Sequence, residues 1–171
     1  MKYKAKKQYR LPYYNYASSG YYFVTLCTKN RLKYFGSVQN GSIILSDIGR
    51  IVERSWQYIP RSSSFATLDQ FVIMPNHLHG IILLDNPYED RELTEKRFEI
   101  RNNSLSVIIR TFKAAVTARV REKHPSLLLW QERYYDRIVR NEKELQIVRN
   151  YIMNNPLQWE EDRNNSINIL M

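Results

Sequence analysis

Cysteine is almost missing from the 171-residue chain: Cys27 stands alone, which excludes an internal disulfide framework. No hydrophobic run approaches the length of a bilayer crossing, and the opening stretch MKYKAKKQYR leads into no apolar signal core. These absences predict an intracellular, reduced, cytoplasmic protein. Neither an internal repeat nor a low-complexity tract is present. Acidic residues are also in short supply, 17 Asp and Glu against 26 Lys and Arg, for a formal charge of +9 and a pI near 9.7. Such a surplus is the electrostatic footprint of a protein that meets phosphates. A content of 43% hydrophobic and 13% aromatic residues argues against disorder, and the length is that of one ordinary domain.

Along the chain, residues 1–16 read as an extended arm in which Lys2, Lys4, Lys6, Lys7 and Arg10 alternate with tyrosines and no helical period appears. YYFVTLCT, residues 21–28, is dense in β-branched and aromatic residues and reads as the first strand. A short strand is expected over 42–45. Ser46 or Asp47 caps a helix running to about Ile59, with Ile48, Ile51, Val52, Ser55 and Trp56 inward and Pro60 just past its end. TLDQFVIM and HLHGIILL are two β-type runs joined at Met74-Pro75-Asn76-His77, where Pro followed by Asn suits a turn, so a hairpin is predicted. The charged residues 85–103 read as a surface loop. Ser104 opens a helix to about Lys123, with Leu105, Ile108, Ile109, Phe112, Ala115 and Val116 inward and Arg110, Lys113 and Arg121 opposite. RYYDRIVR gives a last strand. In the final helix, Asn141 and Glu144 form a capping pattern, Leu145, Val148 and Ile152 supply the core stripe, and Pro156 ends it. The element order predicts an α+β sandwich, one antiparallel sheet with helices mainly on one face.

Two of the three histidines, His77 and His79, sit one residue apart in PNHLHG. Strand side chains alternate faces, so both imidazoles point one way and Leu78 the other. A converging pair of neutral imidazoles is half of a transition-metal site, though half-exposed turn residues or satisfied core histidines fit the same pattern. Tyr151 and Asn155, four residues apart, share one face of the last helix. There an amide oxygen suits a hard metal and the phenol would be held beside it, whereas packing and helix termination are the plainer roles of these two residues.

Together, MPNHLHGIILL, FVTLCTKNR upstream of it, IIRTFKAAVT after it and DRIVRNEKELQIVRNYIMNNPLQW downstream resemble the REP-associated tyrosine transposases, a branch of the single-tyrosine HUH transposases. The resemblance covers roughly residues 9–160 with the motifs in order. It implies a ferredoxin-like α+β sandwich forming a single HUH transposase-like domain over residues 1–171, with 157–171 as a tail. It also implies His77, His79 and Asn155 as ligands of a divalent metal, Mg²⁺ or Mn²⁺, and Tyr151 as the nucleophile that cleaves single-stranded DNA through a 5′-phosphotyrosine and then rejoins strands. Insertion-sequence relatives more often carry glutamine where Asn155 stands. The implied partner is single-stranded or hairpin DNA of repetitive palindromes. Lys4, Lys6, Lys7 and Arg10 of the arm, with Arg110, Lys113 and Arg121 of the helix, are the candidate phosphate contacts. The competing expectations are a domesticated hairpin-binding protein with little catalysis and a metal hydrolase that uses water.

Overall fold

The structure is a computed structural model, and it describes residues 15–86 and 104–159. Among those residues six strands form: β1 (Gly20–Cys27), β2 (Gly36–Gln39), β3 (Ser42–Leu45), β4 (Ala66–Met74), β5 (His77–Leu84) and β6 (Tyr135–Val139). Among the described residues the α-helices are α1 (Asp47–Gln57), α2 (Ile59–Ser62), α3 (Leu105–Arg121) and α4 (Glu142–Asn154). The charged loop expected over 85–103 lies almost wholly outside the described residues, as do Lys4, Lys6, Lys7 and Arg10 of the arm.

Strands β4, β5, β1 and β6 lie side by side in that order, and each neighbouring pair is antiparallel. With the small β2–β3 hairpin set aside, the order β1-α1-β4-β5-α3-β6 is the ferredoxin-like α+β arrangement. The β2–β3 hairpin supplies a strand the sequence reading missed. Asn40 and Gly41 both take left-handed φ, 50° and 71°, which is the backbone a tight two-residue turn demands and which Asn-Gly supplies cheaply. Pro60 also sits differently from expectation: it lies in the first turn of α2, where its missing N–H is no loss, instead of beyond a helix end.

The sheet has two covered faces. On one, Tyr22, Val24, Leu26, Leu78, Ile82 and Leu84 pack against Val52 and Trp56 of α1 and Leu105, Ile109 and Phe112 of α3. Gly80 is required there, because a Cβ on it would stand 2.3 Å from the Trp56 ring. On the other face, Phe23, Ile81 and Val139 pack against Leu145, Val148 and Ile152 of α4. Helices α1 and α3 thus share one side, and among the described residues α4 covers the other. Among the described residues no helix is long and apolar enough to cross a membrane.

Candidate metal and nucleophile site

Strand parity brings the histidines to the α4 face. In the β1–β5 register Cys27 faces His77, Thr25 faces His79 and Phe23 faces Ile81, so one row of side chains runs from the hairpin turn to the α4 core. The two imidazole centroids are 4.4 Å apart, and both rings are buried. Phe23 stacks on His79 with centroids at 5.4 Å, and the Trp159 ring lies 6.2 Å from His77.

Hydrogen bonds orient the rings. The Asn76 Nδ2 amine donates to the Arg31 carbonyl at 3.2 Å, which turns Asn76 Oδ1, an acceptor only, toward His77 Nδ1 at 2.7 Å. His77 must therefore carry its proton on Nδ1, leaving a lone pair on Nε2. That nitrogen is buried and has no hydrogen-bond partner. His79 Nδ1 lies 2.8 Å from Thr25 Oγ1, and its Nε2 lies 3.2 Å from the Tyr151 hydroxyl. If the ring donates to Thr25, the second lone pair points at the same space.

Helix α4 delivers the rest. Asn141 accepts from the Glu144 N–H at 2.9 Å and starts the helix, whose apolar stripe seats it on the sheet. Tyr151 then falls over His79, ring centroids 5.1 Å apart and edge-on, and Asn155 follows one turn later at the C-cap. Asn155 is fully buried, yet neither Oδ1 nor Nδ2 has a hydrogen-bond partner. A buried amide left unsatisfied costs about 1–3 kcal/mol per group, which a purely structural helix terminator gives no reason to bear.

Burial, assisted by the nearby Arg31 charge, pushes the His77 pKa down to about 3. The Asn155 side chain approaches closely enough to oppose that shift slightly, although no aligned hydrogen bond joins the two. Burial likewise holds His79 well below its ordinary value, with His77 and Arg31 adding to the effect. Both rings are neutral at physiological pH, the form that ligates. Among the described residues no Cys, Asp or Glu joins them to make a group of three, so a third ligand from those residues would be of another type. The orphaned His77 Nε2 and Asn155 Oδ1, with His79 Nε2, fit a hard or borderline divalent cation.

The four residues His77, His79, Tyr151 and Asn155 therefore meet. The cations of α3 do not join them: Arg110 and Arg121 are exposed, but α3 lies on the opposite face of the sheet. Lys113, expected on the outer side, is half-buried, donates from Nζ to the Gln131 carbonyl at 2.6 Å and lies 5.7 Å from the Trp130 ring centroid. Thr25, Asn76, Phe23 and Trp159 were not anticipated as parts of the site. Asn76 left a trace in the sequence as the neighbour of His77, and the other three lie in the FVTLCTKNR and NNPLQW stretches, where nothing marked them individually.

No protein-family model matches the chain. An uncharacterized protein of Haemophilus influenzae is 38% identical over 165 residues, covering 92% of each chain. A solved structure of a REP-associated tyrosine transposase bound to a REP hairpin superposes with a TM-score of 0.64 at 19% identity, over 90% of this chain and 74% of that one. The chain belongs to one family with the Haemophilus influenzae protein, and its fold is that of the REP-associated tyrosine transposases, as its sequence motifs indicated.

Proposed function

We propose that this chain is a metal-dependent, tyrosine-using nuclease and strand transferase that acts on single-stranded, hairpin-forming DNA as one HUH-type domain. The observation that carries this reading is the Tyr151 hydroxyl at 3.2 Å from His79 Nε2, with the unpartnered amide of Asn155 one helical turn on and beside His77. The REP hairpin held by the structural relative favours hairpin DNA as the substrate here.

His77 Nε2, His79 Nε2 and Asn155 Oδ1 are the atoms that would hold Mg²⁺ or Mn²⁺, which when bound supplies Lewis-acid polarisation of a phosphate oxygen. The chain's own residues do the rest. Asn76 fixes His77 in the ligating tautomer, and Thr25, when it accepts from His79 Nδ1, holds the second ring in the same form. Phe23, edge-on with its centroid 6.1 Å from that of Tyr151, holds the phenol ring at the site's edge. The Tyr151 oxygen attacks phosphorus, a Tyr–O–P bond forms as the P–O3′ bond breaks, and the departing 3′-oxygen takes up a proton as the phenol loses one. Free tyrosine has a pKa of about 10, so attack at neutral pH needs this assistance. Because the phosphotyrosine keeps the bond energy, a later 3′-hydroxyl reverses the step and joins strands. Exposed Arg110 and Arg121 on the far face are free to meet the phosphates of a hairpin stem, and the arm cations Lys4, Lys6, Lys7 and Arg10 to meet the single strand.

Tyr151→Phe tests the reading, since it removes one oxygen and keeps the ring. A labelled hairpin oligonucleotide with a single-stranded flank should form a denaturation-resistant adduct with the wild-type protein in Mg²⁺ or Mn²⁺. Tyr151→Phe should form none while binding the same DNA. An adduct that persists in Tyr151→Phe removes Tyr151 as nucleophile, and DNA binding without any wild-type adduct leaves a binding protein instead.

A further inference from the structure

The turn after β1 carries KNRLK, residues 29–33, of which Arg31 has entered the site above only through its carbonyl and its charge. It is basic, and all but Lys29 of its residues are exposed. Asn30 and Arg31 both adopt φ of 54°, two consecutive non-glycine residues in the left-handed region, where each costs of order 1–3 kcal/mol and needs its surroundings to hold it.

Those surroundings are visible. Buried Thr28 donates from Oγ1 to the Leu32 carbonyl at 2.7 Å, with the Asn76 carbonyl also within 3.0 Å, and its N–H bonds the latter at 2.9 Å. Arg31 N–H bonds the Thr28 carbonyl at 3.1 Å, and Lys29 N–H bonds the Leu129 carbonyl at 2.8 Å. The Arg31 carbonyl takes the Asn76 amine, and the same amide takes His77 Nδ1, so one side chain ties the strained turn to the first histidine. Lys33 Nζ lies 5.7 Å from the Trp159 ring centroid, and that ring flanks His77. Two exposed cations thus project from a fixed backbone turn beside the histidines, with the exposed side chain of Leu32 between them.

Resting on the transferase reading above, we propose that residues 29–33 form a preorganised clamp for the phosphodiester backbone of the single strand entering the site, with Arg31 and Lys33 each taking a phosphate. A guanidinium and an ammonium carried on one fixed turn of backbone suit successive phosphates, and the Leu32 side chain offers an apolar surface to an unpaired base that a stacked duplex could not present. The Arg31 charge, felt by both histidines, matches this placement.

The test uses the full chain carrying Tyr151→Phe, so that no covalent capture intervenes, and an oligo-deoxythymidine of about 20 nucleotides, longer than a single-strand site of this size needs. Affinity is measured across a salt series, with circular dichroism to verify folding. Each phosphate contact on a single strand contributes about 0.7 to the slope of log affinity against log salt, so Arg31→Gln with Lys33→Gln should lower it by about 1.4. Equivalently, between about 50 and 200 mM salt the unsubstituted protein should lose roughly sevenfold more affinity than the double variant. Arg31→Lys with Lys33→Arg keeps both charges and should keep the slope. An unchanged slope in the glutamine variant, an equal loss in the charge-preserving variant, an equal loss on blunt duplex, or no binding of the oligonucleotide at all would each overturn the clamp. Adduct formation by wild-type Tyr151 is scored separately: an adduct with an unchanged slope overturns the clamp alone, and a lowered slope without any adduct supports the clamp while removing the transferase.

Discussion

Arg149, two residues before Tyr151, grips Asp69 on the edge strand β4 with two hydrogen bonds, Nε to Oδ1 at 3.0 Å and Nη2 to Oδ2 at 2.5 Å. Asp69 reaches α4 because the β4–β5 register shifts between Leu68 and Phe71: the bulge lets both apolar residues face the α1 and α3 core and leaves Asp69 on the other side. A planar fork on a carboxylate fixes direction as well as distance, so this pair sets where the helix that carries Tyr151 lies on the sheet. Asp69→Asn or Arg149→Met should therefore leave the fold intact and cut the rate of adduct formation by about a hundredfold, the cost of misplacing a reacting group by about 1 Å. Exchange of the two, Asp69→Arg with Arg149→Asp, should recover part of the rate in single-turnover assays. The Arg149 hydrogen bond holds the Asp69 pKa below its ordinary 3.8, so the contribution of the pair is present above that value and lost as pH falls through the folded one.

Asn76→Ala removes the acceptor that keeps the His77 proton on Nδ1. Metal affinity should fall by about 10–100-fold, the usual loss when the partner of a ligating imidazole goes. Calorimetric titration with Mn²⁺ measures this without reference to activity. Thr25→Val, which deprives His79 Nδ1 of its hydroxyl, should act in the same direction.

Stability should fall on mild acidification. Both histidines are buried neutral, with His77 depressed from 6.5 to about 3 and His79 lowered as well. Between those values the unfolded chain binds protons that the folded chain refuses, so stability is full above about pH 6.5 and declines as pH drops toward 3. The slope is up to about 1.4 kcal/mol per pH unit for each histidine. Tm measured from pH 7 to 4 should decline steeply in the wild type and less steeply in His77→Gln.

Gly80→Ala places a methyl group 2.3 Å from the Trp56 ring, which must move or push α1 from the sheet. The expected destabilisation is about 1–3 kcal/mol, read as a lower midpoint in urea. In combination with Trp56→Phe, which opens the space, the cost should be less than the sum of the two single changes.

Local chemistry made much of this protein legible in its sequence. Strand periodicity alone sends His77 and His79 to one face, Pro75-Asn76 closes the hairpin between β4 and β5, and the i, i+4 spacing aligns Tyr151 with Asn155, because each depends only on backbone geometry within a few residues. Asn141 and Glu144 cap α4 for the same reason. Tertiary structure decided the rest through contacts between residues far apart in the chain. It selected the sheet face that α4 covers, so the tyrosine meets the histidines while α3 turns Arg110 and Arg121 away from them. It drew Lys113 down to the Gln131 carbonyl, set Thr25 beneath His79, and linked Arg31 through Asn76 to His77 and Asp69 to Arg149. Neither periodicity nor capping can encode those pairings, since strand order and register across the sheet determine which distant side chains share a space.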